Sequence, residues 1–219
     1  MTVLLFLTII IIFLGVDYVM QRKNKPAPVT YQTQHNHDPL RVPSGIFFAP
    51  SHTWLTLFPS GNVRIGIDDF VLRMMKDPKL VLLKRAGTTV RKGEPLLQIK
   101  EELRTITARS PIDAEVVELN DTVQAHPEAL RESLFSDGWA YTIRPKKISD
   151  LTGLFLGEQS RAWIQREFGR LRDFVAGFTQ DGSLAPALMQ DGGMVVEGVF
   201  KSFSDEQCQQ FEQQFLFVD

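Results

Sequence analysis

The sequence contains one cysteine, Cys208, among 219 residues. An internal disulfide is therefore excluded, and so is a metal centre built on several cysteines. The chain also lacks an excess of one charge, since 24 Lys and Arg stand against 26 Asp and Glu for a net charge of −2. We expect no nucleic-acid partner, because nucleic-acid-binding domains usually carry a basic excess. The hydrophobic share of 43% predicts a folded body with a real core.

Several catalytic and metal-binding motifs are absent as well. The chain has no glycine-rich phosphate loop, no G-x-S-x-G elbow and no H-E-x-x-H pair. No histidine follows His126, so Cys208 has no base nearby in sequence and is interpreted as a small core residue. His35 and His37 lie in a polar segment without a third ligand and are interpreted as solvated side chains. We therefore predict that the chain is not an enzyme and binds no metal.

Residues 1–20 are predicted to form a transmembrane anchor. Val3–Val16 contains no charge, and counting through Met20 gives about 27 Å of helix, just enough for the hydrocarbon of a bilayer. A cleaved signal peptide is the alternative, but basic residues before the run and a small-residue site after it are missing. The basic cluster of residues 22–25 follows the run and predicts a cytoplasmic body. The resulting expectation is a single-pass membrane protein, with the membrane as one partner.

A linker and a β-rich body follow. Residues 21–44 are rich in Pro, Thr, Gln and Asn and predict a flexible linker. Residues 45–147 alternate short apolar runs with turn signals, which is typical of a small all-β barrel or sandwich. Two helical insertions are predicted within this body, at 68–75 and 127–133; Asp68 or Asp69 can cap the first.

Residues 148–219 are predicted to form an α-helical extension. Apolar residues recur at three- and four-residue spacing across 160–178, and a strand-like run follows at 194–196. The helix over 160–178 packs on the β body or the last helix, or alternatively lies on an anionic membrane or a partner helix. Ser204 and Gln207 form a capping-box pattern that opens the last helix.

The β-rich body resembles the H protein of the glycine cleavage system, whose lysine-linked lipoyl arm visits the enzymes of that complex. The resemblance runs without gaps from Val63 to Pro145 and implies a barrel-sandwich hybrid of the lipoyl-domain type. The matching blocks are His52-Thr53-Trp54-Leu55, the run Val63–Phe70, the turn Gly93-Glu94-Pro95, the strand Val116–Asn120, Gly138-Trp139 and Ile143-Arg144-Pro145.

The lysine that carries the lipoyl group in that family does not have a counterpart here. The family's hairpin reads E-S-V-K-A, whereas this chain has Lys100-Glu101-Glu102-Leu103-Arg104 in the same register, with Leu103 in the place of the lysine. A leucine cannot form the amide that holds the arm, so no cofactor is expected. Lys100 is the alternative acceptor, but it lies three positions earlier and an odd offset turns its side chain to the opposite face of the strand. His52 begins a strand and is interpreted as a structural hydrogen-bonding residue.

Two functions from different classes remain open. The first is a non-catalytic, membrane-tethered module that has lost lipoylation and docks partner proteins at the cytoplasmic face. The second is a lipoyl carrier of a glycine-cleavage type system, modified at Lys100. A membrane-fusion-type adaptor is a further option, and it requires a body outside the cytoplasm. We favour the first; the identity of its protein partners is not written in the sequence.

Overall fold

The computed structural model describes residues 42–179, 189–190, 194–195 and 198–217. These residues belong to one unit, Leu40–Asp219. The predicted anchor at residues 1–20, nearly all of the linker, and both His35 and His37 lie outside the described residues. Within the described ranges, none of the helices combines the length and the apolar character that a bilayer crossing requires.

Twelve strands occur in the described part of the chain. Most are short, and the longest of them belong to the middle of the β-rich body. Their bounds are β1 Phe47–Phe48, β2 Thr53–Leu57, β3 Val63–Ile67, β4 Lys79–Leu82, β5 Thr89–Val90, β6 Pro95–Glu101, β7 Arg104–Arg109, β8 Ala114–Leu119, β9 Trp139–Pro145, β10 Phe155–Leu156, β11 Met189–Gln190 and β12 Met194–Val195.

The described helices are mostly short, apart from one long helix in the C-terminal part. Two 3₁₀ segments and one π-helical turn accompany them. The bounds are α1 Asp69–Arg73, α2 Asp121–Ala125, α3 Ala129–Glu132, 3₁₀ Ile148–Gly153, α4 Glu158–Thr179, 3₁₀ Val199–Ser202, α5 Asp205–Phe211 and π Glu212–Leu216.

The strands form antiparallel sheets, as the alternating pattern predicts. One sheet has seven strands in the order β10-β1-β2-β3-β9-β8-β5, and a second has three strands in the order β4-β6-β7. A two-stranded ribbon joins β11 and β12. The second sheet contains the β6–β7 hairpin, whose tip is the focus of the candidate site.

The core follows the two-residue period of the strands. Val63, Ile65 and Ile67 alternate along β3 and are fully buried. Gly66 stands between Ile65 and Ile67, where the ring of Trp54 leaves no room for a side chain. A Cβ added at Gly66 would lie 2.7 Å from the Trp54 ring. The glycine therefore makes room for the largest buried side chain of the body.

The N-terminal caps of two helices are those predicted from the sequence. Asp68 is the N-cap of α1 and its Oδ1 accepts from the Val71 backbone N–H at 3.2 Å. Ser204 and Gln207 form the predicted capping box at the start of α5. The prediction of one helix over 127–133 is only partly correct, because the helix is shorter and an additional helix, α2, precedes it.

The prediction for residues 148–219, an α-helical extension with a strand-like run at 194–196, agrees with strand β12 but misses strands β10 and β11. Phe155–Leu156 forms strand β10, which pairs with β1 and extends the large sheet. The long helix α4 covers the predicted 160–178 segment, and its Phe168 ring lies 5.0 Å from that of Phe70 in the body. The apolar stripe of α4 thus packs on the body, and its Phe174 packs on Phe215 in the last turn at 5.6 Å.

Candidate functional site

The outermost point of the β6–β7 hairpin is Leu103. The hairpin turns through Glu102 and Leu103, and Glu102 takes a positive φ of 52°. Two-residue turns with a positive φ match the right-handed twist of the flanking strands, and glycine is the usual residue at such a position. The Leu103 side chain is 93% exposed, far more than any other large hydrophobic residue in the described ranges. The hairpin therefore presents a single aliphatic side chain to solvent.

Glu101 fixes the inner side of this tip. Leu97, Ile99 and Glu101 share one face of β6 by the two-residue period, and all three are buried. The Glu101 Oε1 atom accepts from the backbone N–H groups of Lys76 at 2.5 Å and Asp77 at 2.7 Å. A buried carboxylate thus ties the end of the hairpin to the loop after α1.

The C-terminal segment fixes the outer side of the tip. Lys201 Nζ donates to Glu102 Oε1 at 2.6 Å, which raises the pKa of Lys201. Arg104 forms an ion pair with Asp205 at the start of α5. A groove of about 230 Å³ separates the hairpin from α5; it is lined by Leu103, Arg104, Thr105, Asp205, Cys208, Gln209 and Glu212. Each residue of the tip except Leu103 is therefore held by a side-chain contact.

Lys100 occupies a different environment from the tip. It lies within β6, opposite Lys79 of β4 and Thr105 of β7, and its side chain is exposed. Its neighbours in the strand, Ile99 and Glu101, point into the body. The structure thus places Lys100 on the outer face of the small sheet.

His52 is buried in the interior rather than at the tip. Its Nδ1 atom lies 2.8 Å from Asp68 Oδ2, and its ring stacks on Phe70 at 3.9 Å and on Trp163 at 5.0 Å. The Nε2 atom lies 3.8 Å from Glu167 Oε2, within ion-pair range but beyond a hydrogen bond. Burial lowers the pKa of His52, but the two carboxylates outweigh it and raise the pKa above 6.5. This geometry agrees with a structural role.

Glu167 extends this buried charge cluster to the C-terminal turn. Its carboxylate accepts from Arg170 Nη1 at 2.7 Å, and Arg170 Nη2 donates to the Gln214 carbonyl at 2.9 Å. Burial opposes the charged form of Glu167, yet His52 and Arg170 together lower its pKa. The cluster links the body, helix α4 and the last turn through alternating charges.

Cys208 lies on the inner side of α5. The residue is 7% exposed, and burial raises the pKa of its thiol. Both features disfavour the thiolate, which is the reactive form. The interpretation of Cys208 as a core residue is confirmed.

The site as a whole suits contact rather than catalysis. Its outermost side chain, Leu103, has no nucleophilic or titratable group, and the charged neighbours Glu102 and Arg104 are engaged in ion pairs. An exposed leucine on a well-held turn can enter an apolar pocket of another molecule with little loss of conformational freedom. The tip is therefore a candidate for protein recognition.

The sheets and the hairpin define a β-rich body of the lipoyl-domain class. The family profile described as "Glycine cleavage H-protein" matches residues 46–167, more than half of the chain. The chain belongs to the glycine cleavage H-protein family.

Two relatives and one solved structure are similar to this chain. The glycine cleavage system H protein of Geobacillus kaustophilus is 30% identical over 126 residues, which cover 57% of this chain and 98% of that protein. The H protein of a Psychrobacter species is 29% identical over 121 residues, covering 55% and 96% of the two chains. A crystal structure of the H protein from Mycobacterium marinum is similar with a TM-score of 0.44 and 23% identity, covering 51% of this chain and 97% of that one.

The predicted localisation is wrong. A single-pass membrane protein with a cytoplasmic body was expected, but the relatives are glycine cleavage system H proteins matched over nearly their full length. The physical weakness of the prediction is the length of the uninterrupted apolar run, since Val3–Val16 ends at Asp17 and spans only about 21 Å.

The sequence analysis missed the residues that hold the hairpin. Glu101 had a usable signal, because it continues the inward-facing series of Leu97 and Ile99 and a buried charge needs a partner. Lys201 and Asp205 had no such signal, since they lie about a hundred positions from their partners in the hairpin.

Proposed function

We propose that this chain is a non-catalytic member of the H-protein family that docks partner proteins through the hairpin tip and carries no lipoyl group. The observation that carries the proposal is the side chain of Leu103, 93% exposed at the turn. A lipoyl group is held by an amide to a lysine amine, and leucine offers no nitrogen for that bond. The residues at the tip therefore do not fit the group, and we derive no transfer step through it.

The register of the hairpin supports the assignment of Leu103 to the position of the family's lysine. The turn Gly93-Glu94-Pro95 precedes β6, and Gly93 takes a positive φ of 79°, as a tight turn requires. The pairing of β6 with β7 has one irregularity, between Pro95 and Leu97, and is regular from Leu97 to Glu101, which places Lys100 in the ladder opposite Thr105 and not at the tip. The family resemblance and the hairpin geometry thus point to the same position.

The alternative is a lipoyl carrier modified at Lys100. Its exposed side chain on the outer face of β6 favours this possibility. Against it, Lys100 lies inside the ladder, paired with Thr105, rather than in the turn. A modifying enzyme would have to reach a lysine flanked by two strands.

The test is lipoylation of the full chain, produced together with a lipoylating enzyme and lipoate and measured by intact mass. We expect the unchanged chain to stay unmodified and Leu103→Lys to gain one lipoyl group. Glu102→Lys is the matched control, because it places an amine at the neighbouring turn position and should be modified far less.

Two results would contradict the proposal. A lipoyl increment on the unchanged chain that disappears in Lys100→Arg would establish the carrier alternative. A Leu103→Lys chain that folds normally but stays unmodified would show that the hairpin register is assigned incorrectly.

Docking through the tip is tested separately by crosslinking in the native host. Leu103→Ser should lose the crosslinked partner, because an exposed apolar contact at an interface centre commonly dominates binding. Leu83→Ser is the matched control, since Leu83 is also exposed, at 41%, but lies outside the hairpin. Equal partner yields from both variants would argue against the tip as the docking point.

A further inference from the structure

Strand β7 has an outer edge that a partner strand could pair with. In the three-stranded sheet β7 pairs with β6 on one side and is the last strand in the order. A free strand edge presents unpaired N–H and C=O groups, which favour pairing with another chain. Natural proteins usually cover such an edge.

Residues 198–217, which we call the strap, lie along this edge. The contacts occur in the same order along both segments, so the strap follows β7 from its tip to its root. From tip to root they are Lys201 Nζ to Glu102 Oε1 at 2.6 Å, Asp205 to Arg104, the Thr107 backbone N–H to Glu212 Oε1 at 2.6 Å, and the Arg109 guanidinium 4.3 Å from the centre of the Phe217 ring.

Glu212 is the strap residue that accepts a hydrogen bond from the backbone at the outer edge of β7. Its Oε1 atom accepts from Thr107, a backbone donor that faces away from β6. Burial raises the pKa of Glu212, with the nearby Arg109 acting in the opposite direction. The carboxylate therefore substitutes for the carbonyl of a neighbouring strand.

The opposite face of the strap is anchored in the core. Four of its phenylalanines are buried, and two of them, Phe211 and Phe215, stack at 4.9 Å. Phe215 also lies 5.7 Å from Phe70 of the body. The buried members are Phe200, Phe203, Phe211 and Phe215. The strap is thus fixed by polar contacts with β7 on one side and by hydrophobic packing on the other.

We propose that the strap covers the outer edge of β7 at Thr107 and Arg109, with the groove remaining beside Thr105, and clamps the hairpin, so that a partner engages the tip and not the strand edge. The partner that fits is a protein with an apolar pocket for Leu103, rather than one that adds a strand. The use of the tip by a partner rests on the proposed function, whereas the covering of the edge does not.

The test is hydrogen exchange of the full chain without any partner. In Glu212→Ala we expect the Thr107 amide to exchange about tenfold faster, because it loses its charged acceptor. Glu212→Gln keeps a side-chain oxygen and should stay within about threefold of the unchanged chain. Glu206→Ala is the matched control, since Glu206 lies in α5, directly before the π-helical turn of Glu212, and its side chain is exposed.

A second variant covers the case in which Glu212→Ala does not fold. The double change Lys201→Ala and Asp205→Ala removes the two ion pairs at the tip and should speed exchange at residues 102–104 by about threefold. Unchanged exchange of the hairpin in folded variants of both kinds would overturn the proposal. Since no partner is present, this result is independent of whether Leu103 docks or is lipoylated.

Discussion

Removing the Glu101 carboxylate is expected to destabilise the protein far more than removing its neighbour on the turn. Glu101 is 1% exposed, and one of its oxygens accepts from two backbone donors of the loop after α1. Glu102 holds one ion pair with Lys201 at the surface, and 65% of its side chain is exposed. Two adjacent glutamates therefore differ mainly in burial and in the number of hydrogen bonds.

The magnitude follows from these contacts. A hydrogen bond to a charged group contributes about 1.5–3 kcal/mol, but Lys76 and Asp77 are exposed and water can replace part of the loss. We expect Glu101→Ala to lower the free energy of unfolding by about 2–3 kcal/mol, which is roughly 4–12 °C in Tm for a unit of this size. Glu101→Gln keeps one acceptor oxygen and should lose about half as much. An exposed ion pair predicts less than about 1 kcal/mol for Glu102→Ala.

Urea unfolding of the full chain, followed by circular dichroism, measures these differences directly. Glu102→Ala is the matched control, because it makes the same substitution at the adjacent position, where the carboxylate is exposed. Equal loss in Glu101→Ala and Glu102→Ala would refute the reasoning, because burial and the paired backbone donors would then contribute nothing measurable.

Three further predictions test other parts of the structure. The pKa of His52 is raised in the folded protein, so the stabilisation that its charged form contributes is complete below about pH 6.5 and is lost as pH rises through the folded pKa. The midpoints of urea unfolding should fall over this pH range. His52→Asn should abolish this pH dependence, and asparagine tolerates the positive φ of this position. Gly66→Ala should cost about 1–3 kcal/mol through its clash with Trp54. Gly169→Ala in helix α4 should instead raise the free energy of unfolding by about 0.5–1 kcal/mol, because no atom lies within 4 Å of an added Cβ there. A Gly66→Ala variant that is more stable than the unchanged chain would contradict the close approach of Trp54 to Gly66. Cys208 should react with a thiol reagent about a hundredfold more slowly in the folded than in the unfolded chain, and equal rates would show that the thiol is open.

Features encoded within a few residues were predictable from the sequence. The cap of α1 by Asp68 and the capping box at Ser204 depend on side chains three positions from their partners. The alternation along β3 and β6 identified the strands and their buried faces. Likewise, the outer position of Lys100 follows from the period of the strand alone.

Features that depend on distant parts of the chain were not predictable. Helix α2 carries no side-chain cap, because the Asn120 amide donates instead to the carbonyls of Asp137 and Trp139, both at 2.8 Å. Strand β10 has only two residues and exists because β1 offers it an edge. The strap requires the folded positions of segments about a hundred residues apart, which no local pattern contains.

The charge cluster of Asp68, His52 and Glu167, which are buried, and of the half-exposed Arg170 has a consequence for truncated versions of this protein. A fragment ending at Lys147 would keep the histidine and its first carboxylate but lose Glu167, along with the aromatic rings that α4 lays over Phe70. The truncation would expose a large hydrophobic surface of the β-rich body to solvent. Shortened versions that stop at the apparent boundary between the β-rich and helical regions should therefore aggregate or melt early, and useful fragments must retain residues through Phe217.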